Sequence, residues 1–170
     1  MPTRQRLAEC FSAEADLVAG VVVGAIGVDA LRRARRSAER ALAAIPGVLA
    51  GHQLVEALVW WGLEGRVPEG VWRPALWLYP AIAFGALPVL VPIAIGALEP
   101  VENRRRIRLF IAIGAGVSVA LMYSVVRGPI EAIIQGHHID YRVDLWHGGL
   151  LVALYVVATC GSLLASGAPA

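Results

Sequence analysis

Apolar residues come in five runs, at about residues 11–31, 41–62, 74–98, 107–126 and 145–164, with charge gathered between them. Each run is close to the twenty or so residues that a helix needs to cross a bilayer. The first opens on Ser12 as a candidate N-cap, with Glu14 and Asp16 where a helix dipole favours acids. Gly20, Gly24 and Gly27 then make a smooth strip of the kind that lets two helices approach closely. The second run repeats the strip at Gly47 and Gly51, carries Pro46 near its start and ends in Trp60-Trp61. The third has no charge but holds Pro80, Pro88 and Pro92, which predicts a kinked helix. Ala112 and Gly116 give the fourth run its small-residue face. Between the fourth and fifth lies residues 128–141, too short to span. Ile130, Ile133 and Ile134 fit one side of two helical turns, so this segment reads as an interfacial or re-entrant helix. The pattern predicts an all-α, polytopic transmembrane helix bundle: one transmembrane domain over residues 1–170, with five spans plus that short helix.

Composition agrees. The chain is 170 residues long, 58% hydrophobic and only 16% charged, against about 25% charged in a soluble domain. Its mean hydropathy is +0.65. The net charge of +2 is weakly basic, and the arginines fall at span ends. They therefore speak of topology, not of nucleic acid. Arg32, Arg33, Arg35, Arg36 and Arg40 follow the first span, and Arg104, Arg105, Arg106 and Arg108 follow the third. The loops after the second and fourth are poorer in arginine. The positive-inside rule then predicts a multi-pass inner-membrane protein with its N-terminus outside and its C-terminus in the cytoplasm. Cys10 and Cys160 would sit near opposite membrane faces, too far apart for a bridge. Glu9 spoils any lipoprotein cleavage site at Cys10, and residues 1–6 lack a signal-peptide core.

Candidate chemistry centres on Gly51-His52-Gln53-Leu54-Val55-Glu56, which sets an imidazole, an amide and a carboxylate inside the second span. His52 and Glu56 are four apart and share a helical face. A charge at the centre of a span costs about 2.5–3.5 kcal/mol, so Glu56 needs a proton or a partner. With the predicted orientation, Arg127, Glu131, His137, His138, Asp140, Asp144 and His147 lie on the outer side. Trp60, Trp61, Trp72, Trp77, Tyr79, Tyr123, Tyr141 and Trp146 lie there too and read as an interfacial belt. The expectation is an outward-facing His/carboxylate pocket.

Three chemistries suit it. Glu56, His137, His138, Asp144 and His147 are candidate ligands for a divalent metal, with Glu56 and His52 as candidate catalytic groups. Asp140, Asp144 and His147 could share a helical face if the fifth span begins early. Depth limits the metal set: His52 would lie roughly 15 Å below the outer end of its span and His147 only about 4 Å below its own. Glu56, about 6 Å nearer the surface than His52, is the better partner for the loop histidines. Haem held by two histidines meets the same obstacle more sharply and ranks behind. A proton or ion path through Glu56 and His52, gated by the proline-rich third span, is the third. It lacks an evident inverted repeat.

Cys10-Phe11-Ser12-Ala13-x-Ala15-Asp16-Leu17, the segment from His52 to Trp60 and Asp144-Leu145-Trp146-His147-Gly148-Gly149 together resemble an uncharacterised family of bacterial multi-spanning proteins. That family opens Met-Cys-Phe-Ser-Ala and carries a His-Gln-x-x-Glu segment. Here residues precede Cys10, and the chain stops after the fifth span where relatives continue, so it reads as a short member or a truncated one. The resemblance implies a membrane protein and transfers no reaction. A likeness to alkaline-ceramidase-type membrane hydrolases fails at Leu151, where a second histidine would be required. The functional expectation is a metal-assisted membrane enzyme on a lipid or apolar substrate. The alternatives are a non-enzymatic transporter, a membrane-complex subunit or a haem protein. The expected partners are the lipid bilayer and a second copy or another membrane subunit, with no nucleic acid.

Overall fold

The computed structural model describes residues 12–100 and 104–166. Expectations for Cys10 and the N-terminal leader fall outside the described residues. Helix α1 spans Ala13–Arg33, α2 Ser37–Ala43 and α3 Ile45–Leu63. Then come α4 (Glu69–Pro80), a π-helical segment (Ala81–Ala86), α5 (Leu87–Leu98) and α6 (Arg104–Arg127). Strands β1 (Ile130–Gln135) and β2 (His138–Val143) precede α7 (Gly148–Leu164).

Among the described residues, three helical stretches are long and apolar enough to cross a membrane: Ser37–Leu63, Glu69–Leu98 and Arg104–Arg127. They correspond to the second, third and fourth predicted spans. The first and fifth do not reach that standard. Helix α7 is a shorter apolar helix of 17 residues, and α1 is interrupted by charge at Asp29, Arg32 and Arg33. Three such helices are compatible with an integral membrane protein, and the five-span expectation goes beyond them. Large apolar side chains face outward along much of the bundle, among them Val18, Val21, Val22 and Ile26 on α1 and Val119 and Val126 on α6. Exposed apolar residues of this number are compatible with contact to lipid.

Helices α1 and α3 pack closely and antiparallel, and their glycines explain the closeness. A methyl group at Gly20 would meet the Leu54 side chain at 2.7 Å, and one at Gly27 would meet the Gly47 backbone at 2.9 Å. The N-terminus of α1 therefore lies beside the C-terminus of α3. Ser12 caps α1 as the sequence predicts, its Oγ accepting from the Ala15 N–H at 3.2 Å. Pro46 falls in the first turn of α3, where its missing N–H costs nothing.

The third predicted span is bent by widening. Between Pro80 and Pro88 the helix loosens into the π-helical segment, as happens where the i→i−4 ladder is broken. Ser118 on α6 donates to the Gly85 carbonyl at 2.7 Å, occupying an acceptor in that turn. Helices α5 and α6 cross so tightly that the Pro88 carbonyl occupies the space a side chain on Gly114 would need.

Residues 130–143 form an antiparallel hairpin, correcting the interfacial helix expected there. Ile130, Ile133, Ile134, Ile139 and Val143 are β-branched and suit a pleated surface. Gly136, at φ +61°, opens a two-residue turn between Gln135 and His138, the arrangement of a type II′ hairpin. Ile130, Ala132, Ile139 and Tyr141 pack onto a cluster formed by Ala13, Val55, Val59, Trp60, Ala75 and Leu76. The hairpin therefore covers the end of the bundle where α1 begins and α3 ends.

Candidate functional site

Beneath that hairpin the structure gathers a polar group from four elements. Asp16 comes from α1, His52 and Glu56 from α3, Tyr79 from α4 and Tyr141 from β2. The three rings stack in a column: His52 on Tyr79 at 4.0 Å between centroids, and Tyr79 on Tyr141 at 4.2 Å. Glu56 lies near Tyr79 and close enough to Asp16 for their charges to interact. Asp16 is only 6% exposed, with the Trp60 indole beside it.

Local sequence explains the convergence. Asp16 heads the same helical face as Gly20, Gly24 and Gly27, at four-, eight- and eleven-residue spacing. The strip that lets α1 press onto α3 thus also turns Asp16 toward it. On α3, His52, Glu56 and Trp60 repeat at four-residue intervals on the face that receives α4 and the hairpin. On β2, Ile139 and Tyr141 alternate inward. Asp16 Oδ2, His52 Nε2 and the Tyr141 hydroxyl are buried with no protein hydrogen-bond partner among the described residues. Most buried polar groups are paired. These three groups lie together with Glu56 and Tyr79 beneath the hairpin.

Among the described residues, neither Asp16 nor Glu56 makes an ion pair. Arg66 is bound elsewhere, donating to Glu14 at 2.8 Å and Glu64 at 3.1 Å, and its guanidinium leans over Trp61. Tyr141 sits in the hairpin, outside the long apolar helices. Burial, then the charges of Glu56, Tyr79 and Asp16, push its phenol well above the ordinary tyrosine range.

The expected metal set is not brought together. His137 and His138 stand exposed at the hairpin tip, and Asp144 and His147 are exposed in the turn before α7. Asp140 lies on β2, bonded to Gln135 and Arg142. Helix α7 starts only at Gly148, with His147 in the left-handed region at φ 50°, so Asp140, Asp144 and His147 share no helical face. Among the described residues, no group of three or more His, Cys, Asp or Glu could hold a metal ion. Glu56 and His52 do meet other polar groups, but these are Asp16, Tyr79 and Tyr141. The expected aromatic belt also divides. Trp60 is core, at 5% exposure, while Trp77 and Trp146 face outward.

A mostly helical fold with three helices among the described residues long and apolar enough to cross a membrane is compatible with an integral membrane protein. The family is defined. The chain belongs to the family of unknown function DUF6629, whose model matches residues 9–170. That range takes in the Cys10, His52–Trp60 and Asp144–Gly149 segments on which the resemblance rests. No curated protein and no solved structure matches the chain.

Proposed function

We propose that this is a multi-pass inner-membrane protein with a membrane-embedded proton-exchange site, in which Asp16 and Glu56 hold one proton between them. Tyr79, Tyr141 and His52 position that proton and pass it on. The observation that carries this is buried Asp16, 6% exposed, within coulombic reach of Glu56, with neither acid ion-paired among the described residues. Two such groups in apolar surroundings cannot both stay ionised without company, and a shared proton is the cheapest company. In the exchange step, the protonated carboxyl group gives its proton to an acceptor, the His52 ring or a water beneath the hairpin, and becomes the carboxylate. Tyr79 donates a hydrogen bond to the carboxylate so formed. The π-helical segment begins two residues after Tyr79, so a shift in that loosened helix would move the donor. This favours a proton-coupled carrier, with Glu56 and His52 as the reacting groups. An enzyme acting on an apolar substrate is the other use of such a site.

The orientation we propose is N-terminus outside and C-terminus cytoplasmic, with α1 and α7 as additional spans. It rests on the arginines. Residues 32–40 and 104–108 lie at one end of the bundle and the hairpin at the other, so the hairpin would face outward. Infrared difference spectra of the protein in liposomes test the site. The expected result is a protonated-carboxyl band that responds to a pH step and is lost in Glu56→Gln or Asp16→Asn. A spectrum in which neither substitution changes that region refutes it.

A membrane-complex subunit is a second reading, favoured by Gly47 and Gly51. A side chain at either position would meet no other group within 4 Å, leaving a smooth strip on α3 open to a partner helix. Crosslinking of cysteines introduced at these positions tests it; a monomer under every condition refutes it.

A further inference from the structure

We infer that the cleft at the end of α6 binds the headgroup of a phospholipid carrying a primary amine, with Arg127 taking the phosphate and Asp144 the ammonium. This is separate from the Asp16–Glu56 site and shares no residue with it. The cleft has a volume of about 760 Å³ and is lined from Gly116 to Arg127 along α6, with Asp144 and Trp146 on its other wall. That volume is within the range of about 300–1,000 Å³ usual for small-molecule sites. The wall is fixed in place: the Trp146 N–H donates to the Ser124 Oγ at 3.4 Å, and Gly128 leaves room for Asp144 to pack beside it.

Two opposite charges line this cleft without satisfying each other. Arg127 stands over the Tyr123 ring at 4.9 Å, which engages one face and leaves its edge N–H groups free. Neither Arg127 nor Asp144 makes an ion pair among the described residues. A purely anionic head would satisfy Arg127 but face Asp144 and the negative end of the α6 dipole. A zwitterion satisfies both, and an ammonium with N–H donors bonds to a carboxylate better than a quaternary one. The occupant is a lipid because the rest of the cleft is apolar. It runs roughly 16 Å down a membrane-spanning helix by the helical rise, past Val119, which is 72% exposed, with Trp146, 70% exposed, at its mouth.

The test is native mass spectrometry of the full chain in detergent, titrated with phosphatidylethanolamine, phosphatidylcholine and phosphatidylglycerol of equal acyl length. Glycerophosphoethanolamine, which lacks the chains, is the fourth probe. The expected order places phosphatidylethanolamine first, with Arg127→Gln weakening it about tenfold, the weight of one charged hydrogen bond. Asp144→Asn should weaken phosphatidylethanolamine and strengthen phosphatidylglycerol, reversing the preference. Equal binding of the three lipids overturns the proposal, as does an unchanged order in Asp144→Asn. Glycerophosphoethanolamine binding as tightly as the lipid also overturns it. Asp144 is exposed, so its variant keeps the test decisive even where Arg127→Gln fails to fold.

Discussion

A graded series of glycine-to-alanine substitutions along α1 tests whether the α1–α3 packing that carries Asp16 is as close as described. In a helix interior, alanine is favoured over glycine by about 0.5–1 kcal/mol. Against that stands the space for a methyl group. At Gly24 the nearest atom would be the Ala50 Cβ at 3.5 Å, an ordinary contact, so Gly24→Ala should stabilise by about 0.5–1 kcal/mol, the full propensity gain. At Gly20 the methyl would meet Leu54 Cδ2 at 2.7 Å and the Ala50 carbonyl at 3.2 Å. Leu54 is exposed and can swing away, so the two terms nearly cancel. At Gly27 the neighbours at 2.9 Å and 3.3 Å are the Gly47 N and Cα. Backbone cannot swing aside, and overpacking of about 1–3 kcal/mol should exceed the propensity gain. The expected order of stability is Gly24→Ala, then Gly20→Ala near wild type, then Gly27→Ala below it. Unfolding in mixed micelles with increasing denaturing detergent measures it. If Gly27→Ala is as stable as Gly24→Ala, α1 does not lie against α3 as described, and the Asp16–Glu56 apposition falls with it.

Tyr141→Phe removes a buried hydroxyl with no partner, so it should raise stability by about 1 kcal/mol while slowing the proposed proton exchange in the infrared assay. Lower stability would mean that the hydroxyl is bonded after all. Tyr141 also makes stability depend on alkaline pH. Its folded pKa is raised, so its contribution is complete below the ordinary phenol value of about 10 and is lost as pH rises through the folded value. Tyr141→Phe should flatten that alkaline decline, which a melting series against pH would reveal. Gly136→Ala forces a side chain into φ +61° and should cost about 1–2 kcal/mol, loosening the hairpin. Arg66→Ala breaks pairs that are more than half exposed at the arginine, so its cost should stay under about 1 kcal/mol; a larger loss in the same unfolding assay would mean the pair is part of the core.

The helices were legible because apolar runs and arginine clusters mark them strongly. Ser12 as a cap, Pro46 near a helix start and a bend in the third span all follow from single-residue stereochemistry. The hairpin was misjudged because Ile130, Ile133 and Ile134 fit a helical face as well as a strand. The deciding signal was Gly136-His137, a two-residue turn at the middle of residues 130–143, flanked by β-branched residues. The need for a partner to Glu56 was legible, but its source was not. Asp16 looked like an ordinary acid at a helix start, because its role appears only once the glycine strip is read as an interface and not merely as a smooth face.

The exposure of His137 and His138 and the burial of Asp16 both follow from how the elements pack. The pleat sends His138 to the side opposite Ile139 and Tyr141, and His137 lies in the turn beyond the strand pair. The loop therefore contributes a phenol, not an imidazole, to the buried cluster. The remaining groups come from helices whose separation is set by glycine. The polar cluster thus depends on close packing: widening the α1–α3 gap would admit water to Asp16 and Glu56 and weaken the proton sharing proposed for them. Substitutions at Gly27, far from the carboxyl groups, should for that reason alter the infrared carboxyl band as well as stability, and the two effects should scale together.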